Sequence, residues 1–271
     1  MKNLFISFII ISIFSISIFA KEKHLVRFEY NDKIYYGEIQ KDNVQILNDD
    51  IYKELKHEGD LVPLSKVKLL LPTKPQNVFA VGMNFASHLS SASNLPPPLF
   101  FKSPSSLIAN KETIILPEDS TNVHFEGELV LIIGKKAKNV TIEEANEYIF
   151  GVTVGNDLTE RNWQGRDLQW MRAKASDGFG PLGSIITLGV DYNNLLLTTK
   201  LNGKIVQQEN TKYMIHKPSK VVSYLSKYFT LMPGDLIYMG TPGRTQKLSN
   251  GDIVSVEIEK LGKVSNKIKS K

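Results

Sequence analysis

The chain has 271 residues, 33 basic against 28 acidic, a net charge of +5 and no cysteine. Without cysteine there is neither a disulfide framework nor a thiol nucleophile, so a hydrophobic core must hold the fold. Outside the lysine-rich tail at 263–271 the basic residues are interspersed with acids, and the absence of a basic stripe with interleaved aromatics excludes nucleic acid as the expected partner.

The chain opens on Lys2, an apolar stretch over 4–19 rich in Ile, Phe, Leu and Ser, and a small residue, Ala20, before Lys21-Glu22-Lys23. This pattern predicts a secretory signal peptide over 1–20 and a periplasmic or secreted protein. The alternative is an uncleaved N-terminal membrane anchor, the one case in which membrane contact is expected, although the stretch is short for a span of about 20 residues. Residues 24–30 and 33–39 alternate in β-like runs around Asn31-Asp32 and predict a small N-terminal β domain over 21–72. Pro72 and Pro75 stiffen the passage into a main body over 73–271. Strand patterns follow at 78–81, 129–133, 149–154, 197–201, 236–239 and 253–258. Helical patterns are confined mainly to 142–148, which Thr141 would cap, and 218–228. The predicted class is α+β, dominated by strands.

The chemistry concentrates in Glu126-Gly127-Glu128, at the mouth of the apolar run 129–133, and in a further acid at Asp157. Residues two apart on a strand point to one side, so both glutamates can face one point while Gly127 keeps the other side clear. Crowded carboxylates repel, and an oxygen-only set favours magnesium, manganese or calcium over zinc. Alone, the glutamate pair reads as an ordinary solvated strand end rather than a metal site. His88 precedes a Ser- and Pro-rich stretch over 89–98 whose composition suits a mobile segment; by itself it is a loop histidine. Lys174 by itself is a surface lysine balanced by Asp177. Arg161 and Gln164 lie four and seven residues beyond Asp157, on one face with it if the segment is helical. No Gly-x-Ser-x-Gly elbow, His-Glu-x-x-His, phosphate loop or dinucleotide fingerprint occurs.

Four blocks together resemble the fumarylacetoacetate hydrolase family: Val81-Gly82-Met83-Asn84-Phe85-Ala86-Ser87-His88, the Glu126-Gly127-Glu128 run, Asn156-Asp157 through Gln164 with Lys174 to Gly183, and Leu231 to Gly243. The resemblance runs in order from about Leu69 to the C-terminus, and the preceding small domain is similar too. It implies a β-rich mixed-sheet roll of that family's C-terminal type behind a small N-terminal β domain, and a homodimer. It implies a divalent cation, magnesium foremost with manganese or calcium as alternatives, held by Glu126, Glu128 and Asp157. It further implies His88 as a base toward water, Lys174 as the charge beside a forming enolate, and Arg161, Gln164 and Thr241 as substrate-binding residues. One departure stands out: family hydrolases commonly carry a glutamate three residues after the histidine, where this chain has Ser91. A hydroxyl orients an imidazole weakly and hardly raises its basicity. The expected function is carbon–carbon bond hydrolysis of a small acylpyruvate-type 2-oxo acid. The alternatives are isomerisation or tautomerisation of 2-hydroxy-dienoic or 2-oxo dicarboxylates and, from another class, non-catalytic binding of metal-chelating acids.

Overall fold

Asn31 and Asp32, at φ 49° and 59°, turn the chain between the strands Lys23–Tyr30 and Lys33–Gln40. Short polar side chains tolerate this left-handed conformation, which suits the twist of a tight hairpin. Asn43–Leu47 and His57–Pro63 complete an antiparallel meander. The computed structural model describes residues 21–88 and 95–270. The leader over 1–20 and Ser91, within the expected mobile segment, lie outside the described residues.

The meander is the end of a larger mixed sheet, because Lys23–Tyr30 also pairs with Ile185–Leu188. From there the order runs through Ile149–Asn156, Gly127–Ile133, Leu236–Tyr238 and Val78–Val81 to Leu99–Lys102. Leu236–Tyr238 is antiparallel to Gly127–Ile133 and parallel to Val78–Val81. A second sheet orders Lys204–Asn210, Leu196–Leu201, Ile253–Ile258, Gly262–Ser270 and Thr113–Leu116. The class is the strand-rich α+β mixed-sheet roll expected from the sequence.

Gly127–Ile133 is buried on both faces, which explains its unbroken apolar run. Leu129, Leu131 and Ile133 meet Leu197, Val256 and Ile258 of the second sheet and Val221, Val222 and Leu225 of the helix Pro218–Tyr228. Val130 and Ile132 face Leu25, Ile186 and Tyr238 on the other side. Each such side chain contributes about 1.5–3 kcal/mol by leaving water, so the strand that carries the acidic claw is anchored from both faces.

The helix Pro218–Tyr228 coincides with its sequence pattern and begins on proline, whose fixed φ suits the first turn. The helix expected at 142–148 is instead a 3-10 turn, Ala145–Tyr148. Thr141 and Glu144 do bond reciprocally, Glu144 N–H donating to Thr141 Oγ1 at 3.3 Å and Thr141 N–H to Glu144 Oε2 at 3.2 Å. The strand Ile149–Asn156 then claims the chain, leaving too few residues to repay helix nucleation. No helix among the described residues is long and apolar enough to cross a membrane.

Candidate active site

The period of two places Glu126 and Glu128 on the same side as Val130, as the sequence predicts. The opposite side is not clear, however. A Cβ at Gly127 would lie 2.2 Å from Thr199 Oγ1 and 2.9 Å from Val256 Cγ1, so glycine is required there by the approach of the second sheet. Asp157 arrives from the end of the neighbouring strand, where Gly127 stands opposite Asn156. Asn156 Oδ1 accepts from Glu126 N–H and Glu126 O from Asp157 N–H, both at 2.8 Å. The three carboxylates are 5%, 1% and 1% exposed in chain order, with one oxygen of each within 4.8 Å of the others. That burial overturns the solvated-strand reading.

Lys174 is likewise no surface lysine paired with Asp177. Its side chain is 3% exposed, and its ammonium donates to Glu126 Oε2 at 2.6 Å and Asp157 Oδ2 at 2.5 Å. A second buried cation, absent from the sequence-based set, is Lys102. It donates to Asp157 Oδ1 at 2.7 Å, to the Phe179 carbonyl at 3.1 Å and to the Lys174 carbonyl. Burial pushes the Glu126 carboxyl up, but Lys174 and Arg161 outweigh it and hold the group at about 2. Glu128 lacks such a partner and is raised well above the usual range, first by burial and then by Asp157 and Glu126. Burial lowers Lys102 despite Asp157, whereas for Lys174 the surrounding carboxylates overcome burial and raise it.

Arg161 opens a single-turn helix, Arg161–Gln164, that Glu160 caps by accepting from Trp163 N–H at 2.6 Å. Asp157 is not on that helix, because Thr159–Glu160 is extended and paired with Val123–His124; the shared helical face expected from spacing does not form. The guanidinium nevertheless reaches the acids, Nη2 donating to Glu126 Oε1 at 2.5 Å and to Thr245 Oγ1 at 2.9 Å, and Nη1 to Gln164 Oε1 at 2.9 Å. His88 Nδ1 lies 2.6 Å from the Gly243 carbonyl. A carbonyl only accepts, so Nδ1 carries the proton in this contact. Gly240, at φ 90°, donates its N–H to Glu128 Oε2 at 2.7 Å; a Cβ there would meet Asn84 Cβ at 2.6 Å.

All eight predicted residues, His88, Glu126, Glu128, Asp157, Arg161, Gln164, Lys174 and Thr241, line one cleft with Met83, Phe100 and Trp170. Met83 and Trp170 hold φ of 51° and 59°, left-handed conformations that concentrate at functional sites. Sequence reasoning missed Lys102 and Gln207. The signal for Lys102 was a lysine two residues beyond Phe100 in an apolar strand, hence on the same side. Gln207, beside Gln208 in a polar strand, gave none.

The donor set fits a hard divalent cation. Oxygens that share one such ion at 2.0–2.6 Å lie at most about 5 Å apart, a limit the 4.8 Å grouping already meets. Glu126, Glu128 and Asp157 are the residues that could hold it.

The model of the fumarylacetoacetate (FAA) hydrolase C-terminal domain matches residues 77–269, and an N-terminal domain model, Rv2993c-like, matches 23–72. The chain belongs to the fumarylacetoacetate hydrolase family. It is 38% identical to the mitochondrial oxaloacetate tautomerase Fahd2a of Rattus norvegicus, over 77% of this chain and 71% of that protein. Its structure is similar to that of 5-carboxymethyl-2-hydroxymuconate delta-isomerase from Mycobacterium smegmatis, with a TM-score of 0.87 and 34% identity over 92% of this chain and all (100%) of the other. It is similar also to 2-hydroxyhepta-2,4-diene-1,7-dioate isomerase from Mycobacterium marinum, with a TM-score of 0.86 and 33% identity over 92% of this chain and 99% of the other. As a member of this family the chain is an enzyme, which sets aside the non-catalytic binder.

Proposed function

We propose that this family member is a divalent-metal-dependent tautomerase or isomerase of small 2-oxo or 2-hydroxy-dienoic dicarboxylates, with the keto–enol interconversion of an oxaloacetate-type acid as its elementary reaction. The observation that carries this reading is the position of Lys174, buried between Glu126 and Asp157 where it can neutralise an enolate. The relatives named for tautomerase and isomerase activities support it over the carbon–carbon hydrolysis first expected from the sequence. Among the described residues the ring of His88 is held by the Gly243 carbonyl, which fixes its orientation in the cleft.

A magnesium ion, held by Glu126, Glu128 and Asp157 when bound, would act as a Lewis acid toward the 2-oxo group. Arg161, tied to Gln164, orients a substrate carboxylate, and Thr241 donates to it. Lys174 stabilises negative charge on the 2-oxygen as the proton leaves carbon 3. His88 Nε2 takes the proton in the cleft, and its return to carbon 3 or to the 2-oxygen decides between keto and enol. Phe100 and Trp170 keep an apolar wall beside the reacting carbons. The proposal carries with it a homodimer, which rests on the family resemblance, and export, which rests on the leader.

The test follows the enol absorbance of oxaloacetate with magnesium and purified protein, alongside pyruvate formation. Loss of the enol band should accelerate without carbon–carbon cleavage. Lys174→Met should slow it on the order of a hundredfold while manganese binding, read by electron paramagnetic resonance, persists. Cleavage products appearing as fast as the enol disappears would restore the hydrolase reading, and an unchanged rate in Lys174→Met would remove the lysine from the mechanism.

A further inference from the structure

Gln207 lies on Lys204–Asn210, in the second sheet, and is 4% exposed, yet its side chain reaches Thr241 of the cleft wall. Its Nε2 donates to the Pro242 carbonyl at 2.5 Å and to Thr241 Oγ1 at 3.0 Å, while its Oε1 accepts from Gly127 N–H at 3.3 Å. A carbonyl oxygen can only accept and a backbone N–H can only donate, so these two contacts settle which end of the amide is which. One N–H serves Pro242 and the other serves Thr241. The Thr241 oxygen is thereby committed as an acceptor, and its single proton is left to point elsewhere. Thr241 is 4% exposed and lines the cleft beside Arg161 and Glu128.

A threonine hydroxyl can donate or accept equally well, and a lone pair turned toward a carboxylate would repel it. We propose that Gln207 is a positioning residue that fixes the Thr241 hydroxyl as a hydrogen-bond donor to the substrate carboxylate. The inference rests on the reading of Thr241 as substrate-binding given above. Through Gly127 the same amide ties the anion-binding loop to the acidic claw, so the spacing between substrate carboxylate and metal ligands is held by one side chain from another sheet. Glutamine suits this task because it offers two donors and an acceptor on a neutral, planar group; glutamate would present an acceptor to Pro242 and take the Thr241 proton for itself.

The experiment is a double-mutant cycle on the manganese-loaded protein, with oxalate, a non-reacting chelating dianion, titrated calorimetrically. Gln207→Met should weaken oxalate roughly tenfold, the worth of one hydrogen bond, and should change manganese affinity by less than that. In a Thr241→Val background the same substitution should change oxalate affinity less than about twofold, because the group it acts through is gone. Equal losses in both backgrounds would show a merely structural role, and no loss in either would remove the role altogether; each overturns the inference. Should Gln207→Met not fold, Thr241→Ser must retain oxalate affinity and Thr241→Val must lose it, and retention by Thr241→Val overturns the inference. Failure of the wild-type protein to accelerate oxaloacetate ketonisation would sink the functional reading separately, since the oxalate cycle judges Gln207 without turnover.

Discussion

Replacing Lys102 by methionine removes a cation from a fully enclosed position while keeping most of its volume. The ammonium holds one ion pair, to Asp157, and serves the carbonyls of Lys174 and Phe179. The bond to Asp157 contributes about 1.5–3 kcal/mol, and each carbonyl left unpaired costs about 1–3 kcal/mol. Against this stands the relief of no longer burying an ammonium, the same burial that lowers the Lys102 pKa. Asp157 keeps its bond to Lys174, so the net loss falls below that of a buried charge left wholly unpaired, at about 2–3 kcal/mol. Urea unfolding is the assay, followed by the fluorescence of Trp163 and Trp170, both beside the cleft region. Lys68→Met, at the exposed Lys68–Glu29 pair, is the control and should not shift the curve measurably. A loss below about 1 kcal/mol in Lys102→Met would refute the assignment of Lys102 as a buried counter-charge of Asp157 beside Lys174.

Gly127→Ala should cost about 1–3 kcal/mol and weaken manganese binding, because the new Cβ must displace Thr199 and Val256 from behind the claw. Thr199→Ala in the same chain should recover part of both losses, and should be near neutral alone since Thr199 Oγ1 is buried without a partner among the described residues; if it deepens the defect instead, the contact is not the cause. Glu128, raised well above its ordinary value of 4.5, keeps its proton in the metal-free protein at a pH where the unfolded chain has lost it. Metal-free stability should therefore fall as pH rises from about 4.5 toward the folded value, and metal uptake in that window should release a proton. Calorimetry of manganese binding in buffers of different ionisation enthalpy measures that release, and an absence of release, or its persistence in Glu128→Gln, would refute it.

The strand pattern and the acidic claw were legible in the chain because both are local. The apolar runs at 129–133, 149–154 and 253–258 declare strands by composition, and the alternation through Glu126 and Glu128 declares a shared side. The helix at 218–228 was legible for the same reason, while 142–148 misled because a good cap does not lengthen a segment that the next strand has already taken. The roles of the two lysines could not be read locally. Lys174 meets Glu126 across 48 positions, Lys102 meets Asp157 across 55, and Gln207 meets Thr241 across 34. Taken alone, each of these is a polar residue that solvent would accept. Sequence by itself determined which residues can form strands and which carboxylates can converge. Only the packing of the second sheet and of the segment 171–179 against the claw decided which charges leave water, and burial is what turns those charges from solvated groups into a site.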